Sequence, residues 1–436
     1  MPLHSKAVTN ILIIVAIFHS PDMKMRSEKT SLTTLIASSA SFIDGYNLII
    51  IAPVLLILAG TGFTAHFSNV LIASSALIGN FFGAFFLGNL SDRLGRKYML
   101  VWDIVFFVVF ALASALSSSA LELFVTRLLL GIGIGGDYPI GSTLVAEHSA
   151  PSGRGSQTAK LGFSWTLGFF TAILTGLIFL PLGPDSWRYM LAAPAIPSLI
   201  IILMRHRAME SPLWQAEVKG TAAAGKSSQI FSRKLIRVTA FAASFWFIFD
   251  VVQYGITTYA PSVVSEIGFA SHEASLTGSL LIAAIELVAT LIGMRYVDVL
   301  GRRILLIAGF AGIALSMFLA SVSDNIFISL GILLLFALSA GFGPGIIEFV
   351  MPPELFPTNV RSSGAGFANT MSRLGAVVGV VIQPVLRQSY GIHSVFLIYG
   401  AVALCGLLVT YLLAPETNGI SLSGIDSASR EQPSAG

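Results

Sequence analysis

Charged residues and cysteines are both scarce in this chain. Asp, Glu, Lys and Arg make up 11% of the 436 residues, whereas a soluble domain of ordinary composition has about 25%. The single cysteine, Cys405, excludes an intrachain disulfide bond. The net charge of +3 comes from basic residues spread through short loops, which does not predict nucleic-acid binding. Neither a nucleophile–base pair nor a metal-ligand cluster stands out, so we expect no enzyme activity, no cofactor and no metal.

Apolar residues, by contrast, form long runs. Hydrophobic residues make up 55% of the chain, and the mean hydropathy is +0.82. A membrane-spanning helix needs about 20 apolar residues. Twelve segments of this kind, numbered here spans 1 to 12, cover residues 32–58, 68–90, 99–119, 122–146, 160–181, 188–204, 236–260, 274–296, 304–322, 326–350, 364–386 and 393–414. They predict an all-α membrane protein with twelve transmembrane helices.

Six predicted spans precede a charged stretch and six follow it, which predicts two pseudo-symmetric six-helix bundles. The predicted parts are an N-terminal segment at 1–30, a first bundle at 31–204, a linker at 205–235, a second bundle at 236–414 and a disordered tail at 415–436. In the N-terminal segment, the apolar run Val8–Phe18 is too short to cross a bilayer. Met23 and Met25 are candidates for the true start.

Lysine and arginine lie mainly on one predicted side. Loops after even-numbered spans contain basic residues such as Arg93, Arg154 and Arg302, whereas the opposite loops contain only Arg188 and Arg387. The positive-inside rule then places both termini and the linker in the cytoplasm. We expect a monomeric multi-pass protein of the cell membrane, whose partners are the lipid bilayer and a small-molecule substrate.

A charged string between two apolar segments occurs once in each half. The first copy is Asp92-Arg93-Leu94-Gly95-Arg96-Lys97 and the second is Asp298-Val299-Leu300-Gly301-Arg302-Arg303. The repetition indicates duplicated halves. The second copy lacks the glycine that stands four residues before the first.

Each residue type in the first copy has a physical use. Gly88 permits close helix packing, and Gly95 permits a left-handed turn at a helix end. Asp92 can lie at the N-terminus of a neighbouring helix, where the dipole favours negative charge. Arg93 and Arg96 hold the loop on the cytoplasmic side. The alternative is that these residues act only as topology anchors.

Span 4 combines closely spaced glycines with two charges. The run from Gly131 to Gly136 fits the pattern G-x-G-x-x-G, but a dinucleotide site needs a strand before that pattern, and here it lies inside an apolar span. Gly131 and Gly135 instead predict a close contact with another helix. Arg127 and Asp137 are about 15 Å apart along one helix, so each needs a partner on another span.

Span 7 contains an acid between two aromatic residues. Trp246, Asp250 and Tyr254 are spaced by four residues and therefore share one stripe of the helix. A carboxyl inside a span is a functional candidate, here a proton carrier beside a polar substrate. The alternative is that both rings belong to the core and Asp250 pairs with an arginine. Other polar residues within spans, whose facing the sequence leaves open, are Asp44, Glu286, Glu348 and Arg373.

The repeated string is similar to the hallmark loop of the major facilitator superfamily. Glu210-Ser211-Pro212 and Pro415-Glu416-Thr417-Asn418-Gly419 are similar to motifs of its sugar porters. The chain is more similar to the phosphate:proton symporters of the same superfamily. The similar parts are Gly135-Gly136-Asp137-Tyr138-Pro139, the stripe on span 7, and the loop from Gly343 to Arg361 with Glu354. The resemblance extends from residue 30 to residue 422.

This resemblance implies two six-helix bundles that rock around a midplane site. With the polar residues above, it implies proton coupling by Asp44, Asp137, Asp250 and Arg127. It implies substrate contacts by Tyr138, Trp165, Trp246, Asp250, Tyr254 and Asn47. It also implies that the cytoplasmic motif residues lock the halves in one state, namely Gly88, Asp92, Arg93, Gly95, Arg96, Asp298, Gly301, Arg302, Glu354 and Arg361.

Three positions depart from the related symporters. Asn47 stands where phosphate symporters and proton-coupled sugar porters have an aspartate, opposite the arginine matched by Arg127. Trp165 replaces a glutamine of the phosphate group, and Gly345 replaces an asparagine. These changes favour a larger or less polar substrate, such as an organic acid or a sugar-like metabolite, with phosphate still a candidate.

We therefore expect a secondary transporter that couples a proton to a small polar or anionic metabolite, either phosphate, an organic acid or a sugar. Asn47 supports an alternative, an uncoupled facilitator. A transporter-like nutrient sensor is less favoured, because the linker and the tail are too short to hold a signalling domain.

Overall fold

The computed structural model describes residues 21–64, 69–94, 96–150, 153–205 and 227–422. For residues 21–30, 88–94, 96–103, 203–205 and 227 it describes the backbone only. The apolar run at 8–18, most of the predicted linker, the Glu210-Ser211-Pro212 string and the end of the predicted tail lie outside the described residues.

Each predicted span corresponds to one helix or to two consecutive helices. In the first half the helices are Pro21–Ile49 and Ile51–Leu58 (span 1), Asn69–Leu94 (span 2), Arg96–Ala115 (span 3), Ala120–His148 (span 4), Arg154–Phe179 (span 5), and Ser186–Ala192 with Ala195–Arg205 (span 6). In the second half they are Ile236–Thr257 and Ala260–Glu266 (span 7), His272–Leu300 (span 8), Arg302–Ala320 (span 9), Ile326–Phe342 and Pro344–Leu355 (span 10), Arg361–Tyr390 (span 11) and Ile392–Leu413 (span 12). Short 3-10 helices lie at Leu180–Leu182, Ser227–Phe231 and Thr358–Val360.

Helices extend beyond the apolar segments that predicted them. Span 1 begins at Pro21 instead of residue 32, and span 5 begins at Arg154 instead of residue 160. The extra residues are polar, so hydropathy locates the part of a helix that lies in lipid but not the end of the helix itself. Proline suits the first turn of span 1, because the missing N–H has no intrahelical acceptor there.

Prolines lie at three breaks inside spans. The ring of a proline clashes with the carbonyl group four residues earlier. The first piece of span 1 ends at Ile49, four residues before Pro53, and the first piece of span 7 ends at Thr257, four residues before Pro261. Span 10 is interrupted at Gly343, directly before Pro344.

Nine helical segments in the described part are long and apolar enough to cross a membrane, and they correspond to spans 1, 2, 5 and 7 to 12. Spans 3 and 6 contain shorter apolar helices, Ile104–Ala115 and Ser186–Ile202. Span 4 has 29 residues and carries Arg127 and Asp137 within it. The architecture is all-helical with twelve helical spans, as the sequence predicts.

The two halves repeat the same packing. In the first half span 1 packs on span 5, span 2 on span 4, and span 3 on span 6. In the second half span 7 packs on span 11, span 8 on span 10, and span 9 on span 12. The halves meet where span 5 packs on span 8 and where span 2 packs on span 11. This arrangement confirms the pseudo-symmetric pair of six-helix bundles.

The glycines of span 4 make the close helix contact that their spacing predicts. A Cβ atom at Gly131 would overlap the carbonyl oxygen of Ala76, and one at Gly135 would overlap the backbone nitrogen of Ala84. Both partners lie on span 2. The contact brings the two backbones together and thereby positions the polar residues that follow on span 4.

Candidate functional site

Aromatic side chains from both halves meet between the bundles. The ring centroid of Tyr138, on span 4, lies 4.6 Å from that of Trp246 on span 7 and 5.3 Å from that of Phe349 on span 10. The rings of Trp165 on span 5 and Tyr254 on span 7 lie 6.1 Å apart. All five side chains are buried, with at most 8% of their surface exposed. These two groups of rings, which lie about two helical turns apart along span 7, are together called the aromatic cluster below.

A buried acid and a buried base lie beside the aromatic cluster. Asp250 of span 7 accepts a hydrogen bond from the hydroxyl of Ser372, with 2.8 Å between Oγ and Oδ2. The guanidinium of Arg373 on span 11 approaches the same oxygen to 3.8 Å, which is an ion pair outside hydrogen-bond distance. Arg373 instead donates to the hydroxyl of Tyr254 at 2.6 Å and to Oδ1 of Asn369 at 3.3 Å. Asp250 therefore does pair with an arginine, as the alternative interpretation predicts, but at a distance too long for a hydrogen bond.

A second polar contact lies inside the first half. Arg127 of span 4 donates from Nη2 to the main-chain carbonyl oxygen of Asn47 on span 1, at 2.6 Å. The side-chain amide of Asn47 donates to the carbonyl of Ile43, one helical turn earlier, at 3.0 Å. Residues 47 and 127 are thus neighbours, as the resemblance implies. Asp44 and Asp137 are also buried in this half.

The structure brings most of the predicted substrate contacts together. Tyr138, Trp165, Trp246 and Tyr254 belong to the aromatic cluster. Asp250 lies beside it through Arg373, which pairs with Asp250 and donates to Tyr254. Asn47 lies instead at the contact between spans 1 and 4. The roles assigned to these residues, and to Asp44, Asp137 and Arg127 in proton coupling, remain predictions.

Sequence reasoning missed several members of the site. Phe349 and Arg373 complete it, and Glu348 presents its main-chain carbonyl to the hydroxyl of Tyr138. Gln253 and Glu286 form a buried pair one turn from Asp250. The available signal was an arginine or glutamate inside an apolar span. The side to which such a residue points depends on the rotation of its helix, which composition does not reveal.

Charged residues at one end of the molecule form a network between the halves. This end contains Asp298 and Glu354 and is called the motif end. Oε1 of Glu354 on span 10 lies 2.8 Å from Nε of Arg154 on span 5 and 3.0 Å from Nη2 of Arg302 on span 9. The Thr417 hydroxyl donates to Oε2 of Glu354 at 2.6 Å. Arg154 belongs to the first half and the other residues to the second, so Glu354 ties the halves together.

Asp298 adds a second tie at the motif end. Its carboxylate accepts the backbone N–H groups of Gly155 at 3.1 Å and Ser156 at 2.8 Å, the first turn of span 5. It also pairs with Arg302 at 3.0 Å. A negative charge at a helix N-terminus is stabilised by the helix dipole. The second copy of the string therefore makes the contact that was predicted for Asp92 in the first.

Gly301, the counterpart of Gly95 in the second copy, has a backbone conformation that favours glycine, with ψ at +161° rather than in the left-handed helical region. Its φ angle is +87°, a value that favours glycine. A Cβ atom would also lie 2.5 Å from the carboxylate of Glu416. That carboxylate accepts the backbone N–H groups of Arg302 and Arg303, so it caps span 9.

The structure describes the remaining motif residues to different extents. Arg361 on span 11 pairs with Glu147 of span 4 at 3.3 Å, which is a third tie between the halves. For the first copy of the string, the backbone of Gly88, Asp92, Arg93 and Arg96 is helical, while their side chains and Gly95 lie outside the described residues. Sequence reasoning missed Arg154 and Glu147 as partners.

Together these contacts define what the arrangement can do. The halves are held together by buried ion pairs at the motif end, and the aromatic cluster lies between them with little exposure. A compound bound in the cluster would touch both halves. Breaking the ties at one end while the other end closes would change the side from which the cluster is reached.

Comparisons with known proteins identify the family. The sequence profile described as "Sugar (and other) transporter" matches residues 33–237 and 227–428. The inner membrane metabolite transport protein YgcS of Escherichia coli is 31% identical, over 88% of this chain and 91% of that protein. The arabinose-proton symporter of Bacillus subtilis is 27% identical, over 92% and 96% of the two chains. The solved structure of XylE, a proton:xylose symporter of the major facilitator superfamily, has a TM-score of 0.78 at 23% identity and covers 92% of this chain and 99% of its own. The chain therefore belongs to the sugar (and other) transporter family, a group of multi-pass membrane transporters with the major facilitator fold.

Proposed function

We propose that this protein is a proton-coupled symporter of a small metabolite that binds in the aromatic cluster. The observation that carries the proposal is the loose, buried pair of Asp250 and Arg373 beside that cluster. A buried ion pair is costly unless its geometry is good. Because the carboxylate of Asp250 is held 3.8 Å from Arg373, it is suited to taking up a proton and losing its negative charge.

The hydrogen bonds around the pair explain how proton and substrate are linked. Arg373 is held by Tyr254 and Asn369, so it stays in place when Asp250 gains a proton. Protonation then removes the nearby negative charge from Arg373. The guanidinium becomes available to an anionic or hydroxyl-bearing substrate, since it presents N–H donors in a fixed fork. Loss of the proton restores the pair and favours release.

The composition of the cluster limits the substrate. Five aromatic rings offer apolar faces to a compact carbon skeleton, and a single arginine offers one polar anchor. The relatives named above transport metabolites or sugars. Among further relatives is a putative niacin/nicotinamide transporter of Bacillus subtilis, 26% identical. We therefore favour an organic acid or a sugar-like metabolite over phosphate.

The orientation in the membrane is proposed from the distribution of basic residues. Arg154, Arg302 and Arg361 lie at the motif end, while Arg188 and Arg387 lie at the opposite end. The positive-inside rule supports a cytoplasmic motif end in the cell membrane. With that orientation, the ties at the motif end close the inward path, and breaking them releases substrate into the cytoplasm.

A second candidate function is an uncoupled facilitator. Residue 47 is an amide where the resemblance implies an acid. Its main-chain carbonyl accepts from Arg127, while its side chain donates within span 1. If proton exchange in this family depended on an acid at that position, this protein would move its substrate only down a concentration gradient.

Uptake into proteoliposomes distinguishes the two functions. The compounds offered are labelled D-glucose, L-arabinose, nicotinate and phosphate, each with and without an imposed pH gradient. Symport predicts accumulation above the external concentration only with the gradient, and Asp250→Asn should abolish that accumulation while retaining exchange of labelled for unlabelled compound. Asp324→Asn is the control, since this acid is exposed in the loop before span 10. Undiminished uphill uptake by Asp250→Asn would remove Asp250 from the mechanism. Uptake by the unmodified protein that ignores the gradient would establish the facilitator.

A further inference from the structure

A buried glutamate lies behind the Asp250–Arg373 pair without a role in the mechanism above. Glu286, on span 8, accepts a hydrogen bond from Nε2 of Gln253 on span 7, with 2.8 Å between Nε2 and Oε1. Both residues are only 2% exposed. Among the described residues, the second carboxyl oxygen of Glu286 and the amide oxygen of Gln253 have no hydrogen-bond partner. An acceptor oxygen buried without a donor is costly if it bears negative charge.

The charges around Glu286 do not balance the negative charge that its carboxylate would bear. Glu348 interacts with the charges of Asp250, Arg373 and Glu286, whereas the described partner of the Glu286 carboxyl itself is the Gln253 amide. The other helices that pack on span 8 add no nearby charge. Residues 161–179 of span 5 and 326–342 of span 10 have no ionisable side chain. Remaining charges on packed helices lie toward helix ends, namely Glu273, Arg295 and Asp298 of span 8, Arg154 and Lys160 of span 5, Glu266 of span 7, Arg302 and Arg303 of span 9, and Glu354 of span 10.

Three buried carboxyl groups, those of Asp250, Glu286 and Glu348, thus accompany one buried guanidinium, that of Arg373. Three negative charges with one positive charge would leave two charges uncompensated, and a buried group in that position takes up a proton instead. The absence of a donor to the second oxygen of Glu286 fits this state, because a protonated carboxyl bears no negative charge. The proton would lie on that second oxygen, while Gln253 donates its Nε2–H to the first.

The break in span 10 places the two glutamates on different pieces of helix. A Cβ atom at Gly341 would lie 2.6 Å from the backbone oxygen of Glu286 and 3.1 Å from its Cγ, so the first piece of span 10 packs tightly on Glu286. Glu348 belongs to the second piece, after Gly343. A change in angle between the pieces would change the separation of the two carboxyl groups.

We propose that Glu286 carries a second proton of the transport cycle, which it exchanges with the Asp250–Arg373 pair by way of Glu348. The inference rests on the proposed symport. In the exchange, the O–H bond of the Glu286 acid breaks and an O–H bond forms on the carboxylate of Glu348 or Asp250, so one proton moves and no other bond changes. The symporter then moves two protons with each substrate molecule.

The first measurement needs no substrate. Infrared spectra of the purified protein are recorded between pH 5 and pH 9, and the carbonyl-stretch band of protonated carboxyl groups is followed. The unmodified protein should show a component at neutral pH that Glu286→Gln lacks. Glu273→Gln, in the exposed first turn of the same helix, is the matched control and should retain the component. Identical bands in all three proteins would overturn the proposal.

The second measurement is the number of protons moved per substrate. It is obtained from the membrane potential that balances a set pH and substrate gradient, using whichever of D-glucose, L-arabinose and nicotinate accumulates. We expect two protons for the unmodified protein and for Glu273→Gln, and one for Glu286→Gln, with exchange of labelled for unlabelled compound retained. Two protons per substrate in all three proteins would refute the role of Glu286 but not the symport. No coupling in the unmodified protein would refute the symport and this inference together.

A second variant covers the case in which Glu286→Gln fails to fold. Gln253→Met keeps the carboxyl group but removes the N–H that stabilises its charged form. The uptake profile should then move to higher pH by about one unit, since a hydrogen bond to a charged group contributes about that much. An unchanged profile would contradict a proton on Glu286 during transport.

Discussion

The ion pair of Arg154 and Glu354 should hold the halves together at the motif end. Nε of Arg154 lies 2.8 Å from Oε1 of Glu354, and both side chains are 1% exposed. In Arg154→Met, Glu354 keeps its contacts with Arg302 and Thr417, so the carboxylate is not left without partners. The substitution also removes the hydrogen bond from Nη2 of Arg154 to the carbonyl oxygen of Ile420, at 2.9 Å. The loss is therefore at least about 2 kcal/mol, the value of a charge-assisted hydrogen bond, but less than the cost of an orphaned buried charge. This predicts a shift of at least roughly 30-fold toward the state that is open at the motif end.

Distances between spin labels measure that shift. The only cysteine, Cys405, is exposed, so Cys405→Ser provides a background without cysteine. Labels are attached to cysteines introduced at Ala150 and Val299, two exposed positions near the motif end on different halves. The population at longer distance should grow at least about 30-fold relative to the population at shorter distance in Arg154→Met, as the free-energy change above requires.

Arg303→Met is the matched control for this measurement. Arg303 also lies at the motif end, but its guanidinium donates to the carbonyl oxygen of Tyr411 within the second half. Its loss should leave the distance between the halves unchanged. The reasoning is wrong if the distance distributions of Arg154→Met and Arg303→Met are the same.

Three further substitutions test the packing and the site. Gly301→Ala would place a Cβ atom on a residue with φ of +87° and against Glu416. It should therefore lower the free energy of unfolding by about 1–3 kcal/mol. Gly331→Ala, where the Cβ atom would have no neighbour within 4 Å, should not lower it. Gly135→Ala would press on the backbone of Ala84 and should cost roughly 1–3 kcal/mol, whereas Gly136→Ala meets only the side chain of Leu87; equal melting temperatures in detergent for either pair would contradict the packing described. Trp165→Ala removes the ring that faces Tyr254 and should raise the half-saturating substrate concentration about three- to tenfold, while Trp165→Phe should raise it less. An unchanged concentration dependence of exchange in Trp165→Ala would exclude Trp165 from substrate contact.

The spans were predictable because membrane insertion imposes a local rule. About 20 apolar residues in succession identify a helix in lipid wherever its neighbours lie. For the same reason helix ends were predicted poorly, as in span 1, which begins at Pro21 in a polar stretch. Glycine spacing was a further local signal, and Gly131 and Gly135 make the contact that it predicts.

The site was predictable only in part. Trp246, Asp250 and Tyr254 share a stripe of one helix, so their proximity follows from helical periodicity. Tyr138, Trp165 and Arg373 come from other spans, and nothing local relates those spans. The resemblance to known symporters supplied Tyr138 and Trp165. Arg373 required the structure, because the rotation of span 11 decides whether its side chain faces Asp250 or another helix.

The sequence alone determined the twelve spans, the duplication, the close glycine contact of span 4 and the acid between two rings on span 7. These features depend on composition and on spacing within one helix. The tertiary structure decided that Asp298 caps span 5, that Glu354 joins Arg154 to Arg302, and that Glu286 pairs with Gln253 behind Asp250. Each of these contacts joins different helices, and the packing of helices depends on the whole surface that each presents to its neighbours.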